Sequence, residues 1–144
     1  MNLQMEGDVM FGLSVIKHKR VLRKAFSDCL LPVKNDLGNV PVTMQTNKMI
    51  TASILGICRG YAEGRIEYEP DFELIVDAVF EDIFRRESVE VQTLTEYWLQ
   101  YNDSEFMQYY YQAKSHAISS RDLSWFQDIV LQSFKPMHTV VFPL

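Results

Sequence analysis

Apolar residues at helical spacing, punctuated by prolines and capping residues, constrain this chain more than any other feature. After Pro70, Phe72, Val76, Val79, Phe80 and Ile83 recur every three or four positions, the stripe that one face of a helix turns towards a core. Pro70 suits a first helical turn, Asp71 and Glu73 oppose the positive end of the dipole, and Arg85 and Arg86 suit the other end. The same reading predicts a helix over 13–31 carrying Val15, Leu22, Phe26, Cys29 and Leu30, stopped by Pro32. A second, capped by Thr46 or Asn47, carries Ile50, Ile54, Ile57, Cys58 and Tyr61, with Gly64 in the left-handed closing position.

Ser88 is expected to cap a fourth helix, with Val91, Leu94, Trp98 and Tyr101 on its stripe. Asn102-Asp103-Ser104 restarts a fifth with Phe106, Tyr110, Ala113 and Ala117. Leu123, Phe126, Ile129, Val130 and Phe134 define a sixth, closed by Lys135-Pro136. The expectation is a mainly α, single compact domain over residues 1–144, of five to six helices. Short strands are expected at 40–44 and 139–142, a flexible N-terminus at 1–12 and an extended tail at 137–144.

Composition excludes several classes. Hydrophobic residues make up 47% and charged residues 23%, which is that of a soluble globular domain and not of a disordered or collagen-like chain. At 144 residues no disulfide or metal is needed to hold a core. Cys29 and Cys58 therefore read as buried free thiols of a reducing, cytoplasmic protein. No apolar run approaches the roughly 18 residues of a membrane span. The apolar run at 9–16 follows Glu6 and Asp8 and precedes Lys17-His18-Lys19-Arg20, the wrong flanks for a signal peptide. Two cysteines and three histidines, none clustered, predict no metal site, and no cofactor is expected.

Charge is unevenly spread. Residues 1–60 carry eight basic and four acidic residues, a net of +4; residues 61–144 carry six basic and fifteen acidic, a net of −9. Such a split fits internal pairing of a basic helix with acidic ones, a head-to-tail homo-oligomer, or a bipolar surface that steers a charged partner. The basic face is Lys17, Lys19, Arg20, Arg23 and Lys24. It suits phosphates or an anionic membrane surface, but a pI near 5.1 opposes nucleic acid, so none is expected.

Leu55-Gly56-Ile57-Cys58-Arg59-Gly60 resembles the L-G-I-C-R-G stretch of class I glutamine amidotransferases. The resemblance covers about six residues. It implies a strand-to-helix turn with the Cys58 thiolate as nucleophile on a side-chain amide. The spacing alone offers a second reading. Gly56, Gly60 and Gly64, four apart, line one side of a helix and admit a close neighbour, with Cys58 as a small buried residue.

The segment 97–111 holds five of the seven tyrosines. Tyr109, Tyr110 and Tyr111 span about 200° of a helix, so some must leave the core. Tyrosines beside carboxylates are favoured in protein-binding surfaces, and Tyr97, Tyr101, Asp103, Glu105, Tyr109 and Tyr111 are the candidate contacts. The reading is a non-catalytic protein-binding module of adaptor, export-chaperone or immunity-protein type, whose acidic, tyrosine-rich face meets a basic protein. The alternatives are a Cys58-dependent amidotransferase-like or hydrolase-like enzyme, and a self-associating structural protein.

Overall fold

The computed structural model describes residues 3–120 and 122–137, with side chains from residue 12 onward. Six α-helices form one domain over these residues: α1 (Leu3–Leu30), α2 (Lys48–Ala62), α3 (Glu69–Phe84), α4 (Ser88–Gln100), α5 (Ser104–Ser119) and α6 (Ser124–Ser133). No strand is present among them. The strand expected at 40–44 is instead a 3-10 turn over Val42–Thr46. Pro41 precedes it with φ −55°, and Met44 is fully buried beneath it. The segment 139–142 lies outside the described residues, as does the tail beyond Met137, whose N–H donates to Pro32 O at 2.9 Å.

α1 starts ten residues before the onset expected at 13, so positions 3–12, read as a flexible N-terminus, are helical. Nothing in that stretch breaks a helix outright. Gly7 and Gly12 each cost only about 1 kcal/mol relative to alanine. α1 turns Val15, Leu22, Phe26, Cys29 and Leu30 inward and packs on α3 and α6. Pro32 ends it in a 3-10 turn.

α2 is the centre of the domain. Ile50 to Cys58 are all buried, so this helix is covered on every side and not only along its isoleucine stripe. Asn47, and not Thr46, caps it, its side chain accepting from Ile50 N at 2.9 Å. Gly64 ends it at φ +75°, and the N–H groups of Arg65 and Ile66 both donate to Ala62 O. α5 lies directly against α2. A Cβ on Gly56 would run into Tyr110 O and stand 2.9 Å from the Ala113 Cβ. One on Gly60 would stand 2.5 Å from Lys114 O. Two of the three glycines thus admit a close helix, and Gly64 has open space around it.

α3 begins at Glu69, with Pro70 in its first turn as expected and Glu69 and Asp71 as the acids there. Its end is unusual. Arg85 stands at φ 54°, ψ −119°, a conformation that costs a residue with a Cβ of order 1–3 kcal/mol. Its guanidinium offsets part of that by donating to Leu37 O at 2.9 Å, across Gly38, which is itself at φ +80°. A 3-10 turn (Arg85–Glu87) leads straight into α4, so Ser88 is the first helical residue and not a side-chain cap.

Candidate protein-binding face

α3 carries Glu69, Asp71, Glu73, Asp77, Glu81 and Asp82 and no basic residue; α4 adds Glu90 and Glu96, also without one. Glu73, Asp77 and Glu81 are four apart and all exposed, so they share the outward side of α3. Gln92 of α4 joins the two helices. Its Nε2 donates to Asp77 Oδ1 at 2.6 Å and to Glu96 Oε1 at 3.1 Å. One amide thereby holds carboxylates of both helices in a single surface and softens their mutual repulsion. Leu74 and Val89 stand out from the same helices. At the far end of α4, the Tyr97 and Tyr101 rings meet at a tilt of 44° with centroids 4.7 Å apart, while remaining 55% and 65% exposed.

The other candidates fall into different settings. Asp103 caps α5 by accepting from Phe106 N at 3.0 Å, and it takes Lys48 Nζ at 2.8 Å. Glu105 stands 3.9 Å from the same ammonium, which lies over the Trp98 ring. The Lys48 hydrogen bond, with that from Phe106 N, holds the Asp103 carboxyl below its ordinary range and raises Lys48. These two acids therefore tie the start of α2 to the α4–α5 turn. Tyr109 is half-buried against the core, whereas Tyr111 is exposed and meets Tyr110 edge-on.

Tyr110 belongs to a cluster that the sequence reading did not single out. Arg59 pairs with both oxygens of Glu69, at 3.0 and 2.7 Å, and its guanidinium lies 3.7 Å from the centre of the Phe72 ring. The Glu69 hydrogen bond raises Arg59, and the same bond lowers Glu69. Burial raises Tyr110 beside them. Arg59 was legible only as part of a glycine motif, because its partners lie ten and more residues away.

On the basic face, Arg23 reaches Asp82 of α3 at 3.3 Å, and Lys24 pairs within α1 with Asp28 at 3.0 Å. Lys17, Lys19 and Arg20 have no carboxylate within 4 Å among the described residues. The charge split is thus met in part inside the domain, where Arg23, Lys48 and Arg59 of the first sixty residues pair with Asp82, Asp103 and Glu69 of the remainder, and Lys17, Lys19 and Arg20 of α1 are left over.

Leu55 to Gly60 lie within α2, in place of the strand-to-helix turn that the amidotransferase resemblance implies. Cys58 is fully buried there, and burial pushes its thiol up to about 12. Cys29 is also free and buried, pushed up to about 11 by burial and then by Asp28. A reactive thiolate needs a partly exposed, electropositive setting, and Cys58 has a dry one. Among the described residues no three His, Cys, Asp or Glu side chains converge to hold a metal ion, and no helix is long and apolar enough to cross a membrane. No family model, curated protein or solved structure matches the chain.

Proposed function

We propose that this protein is a non-catalytic binding module that holds a basic protein partner on the joined α3–α4 surface. The observation that carries the reading is the Gln92 bridge between Asp77 and Glu96, with the exposed Tyr97–Tyr101 pair on the same helix. Glu73, Asp77, Glu81 and Glu96 have no cation within 4 Å among the described residues, and such unpaired carboxylates speed encounter with a positive partner. Tyrosines held by a neighbouring ring provide rigid contact area at low cost in side-chain freedom. Tyr97, Tyr101, Asp77 and Glu96 are therefore the main contacts, with Tyr111 peripheral. Asp103, Glu105 and Tyr109 support the fold beneath. An adaptor, an export chaperone and an inhibitor of the immunity-protein type all use such a surface.

The test compares tagged wild-type protein with Asp77→Lys/Glu96→Lys and Tyr97→Ala/Tyr101→Ala in nuclease-treated native lysate, at low and moderate salt. A stoichiometric protein that both variants lose, and that salt weakens, supports the reading. Partners retained equally by both folded variants would overturn it.

A further inference from the structure

A narrow cleft of about 310 Å³ runs along α1 on its side towards α2, α5 and the start of α6. Its walls are Val21, Leu22, Ala25, Ile57, Ala117 and Leu123, with Leu22 and Ile57 buried as the floor. Its charged side chains and the His18 and Tyr61 rings collect towards one end, and Ser120 is the further polar residue of the lining. Lys17 and His18 precede Val21 by one turn, Tyr61 follows Ile57 by one turn, and Arg65 lies just past the end of α2. The His18 Nδ1 lies 2.7 Å from the Tyr61 hydroxyl, and the Arg65 guanidinium covers the Tyr61 ring at 4.6 Å while donating to Tyr61 O. That end is positive. Neither Lys17 nor Arg65 has a carboxylate within 4 Å among the described residues. Burial, then Lys17, then Arg65 hold His18 below the ordinary imidazole range.

We propose that this slot binds a single-chain anionic amphiphile, a medium-chain fatty carboxylate, with its chain along Val21 to Ala25 and its carboxylate at Lys17 and Arg65. Size and charge each select against alternatives. The volume lies at the lower end of the roughly 300–1,000 Å³ of small-molecule sites, which admits one chain and not a two-tailed lipid. From Lys17 to Ala25 the groove follows α1 for roughly 12 Å, which sets a medium chain length. A cationic end with an apolar floor fits a carboxylate head and an alkyl body, and rejects a cationic head of the same length. The larger cleft on the other side of His18 and Arg65, about 850 Å³, also holds Glu67 and Asp71, so its charge is mixed and it defines no one ligand.

Calorimetric titration of the full chain with decanoate, below its micelle concentration, tests the proposal. Expected is saturable binding at one site, no binding of acetate, and binding of decyltrimethylammonium weaker by about tenfold or more. Exposed Lys17→Gln weakens decanoate by about tenfold, and Ala25→Phe fills the slot and abolishes binding. An unchanged circular dichroism spectrum and melting midpoint show that both variants fold. Phosphatidylglycerol vesicles separate a free fatty acid from a lipid surface, and they are expected not to compete. Equal binding of the cationic amphiphile, decanoate binding that survives Ala25→Phe, or attraction to vesicles alone would overturn the assignment. So would decanoate binding that appears only after residues 138–144 are removed, because the chain itself would then be the occupant.

Discussion

The α2–α5 contact and the α3–α4 surface are built from opposite materials. In the first, Gly56 and Gly60 bring the α2 backbone against Tyr110 O and Lys114 O, with only the small side chains of Ala113 and Ala117 beside them. In the second, carboxylates and tyrosines stand in solvent, and a half-buried Gln92 crosses between the helices. Packing at the first is a matter of tenths of an ångström, since interiors are close-packed and a methyl group has nowhere to go. The second tolerates change of shape but not change of sign. Stability and recognition are therefore separable in this molecule, and substitutions should divide accordingly.

Gly56→Ala should produce the largest loss. Alanine gains about 1 kcal/mol of helix propensity, but its Cβ meets backbone that cannot rotate away. Overpacking of this kind costs typically 1–3 kcal/mol and sometimes more, so a net loss of about 2 kcal/mol is expected in urea denaturation. Gly64→Ala is the contrasting control. There the space is open and the strain is only that of φ +75°, so a loss of about 1 kcal/mol is expected. A Gly56→Ala protein as stable as wild type would mean that α5 can slide on α2, and the comparison would fail.

How far the sequence foretells this division depends on whether the signal is local. The apolar stripes, Pro70 and the Asn47 cap are read within a few residues, and they place all six helices. The onset of α1 is not, because two glycines weaken a helix without ending it. The strand expected near Val40 fails for a related reason. β-branched residues beside prolines suit an extended chain, but an isolated strand has no partner for its ladder, and burying Met44 in a 3-10 turn satisfies the segment instead. Long-range pairing is least legible. Asp103 and Glu105 look like neighbours of exposed tyrosines until the fold brings Lys48 to them from 55 residues away. Arg59 and Glu69 pair in the same hidden way, whereas Tyr97, Tyr101 and Tyr111 are exposed as a contact surface needs, Tyr101 leaving the apolar stripe on which its spacing also placed it.

Those hidden pairs give the intermediate effect, visible in pH. Asp103 and Glu69 have folded-state values below their ordinary 3.8 and 4.5, so the unfolded chain binds protons that the folded one does not. Their contribution is complete above the ordinary values and is lost as pH falls through the folded ones. Asp103→Asn keeps a capping oxygen but removes the charge, and Glu69→Gln does the same opposite Arg59. Each variant should be less stable than wild type at neutral pH and should lose less on acidification, so the stability curves converge towards low pH. Parallel curves in acid titration followed by thermal melting would show that the pairs do nothing for the fold.

The smallest effect on stability should accompany the largest effect on binding. Tyr97 and Tyr101 are mostly exposed, and surface substitutions away from caps and buried pairs lie usually within about 0.5 kcal/mol. Tyr101→Ala and Glu96→Lys should therefore melt within a degree or two of wild type. Glu96→Lys introduces a cation where Gln92 now joins two carboxylates, so it reverses the local field without touching the core. If α3–α4 is the recognition surface, this substitution removes a basic partner while the urea midpoint stays where it was. A Glu96→Lys protein that unfolds markedly earlier would show instead that the Asp77–Gln92–Glu96 bridge fastens α3 to α4. The acidic surface would then belong with the α2–α5 contact, as part of what holds the domain together.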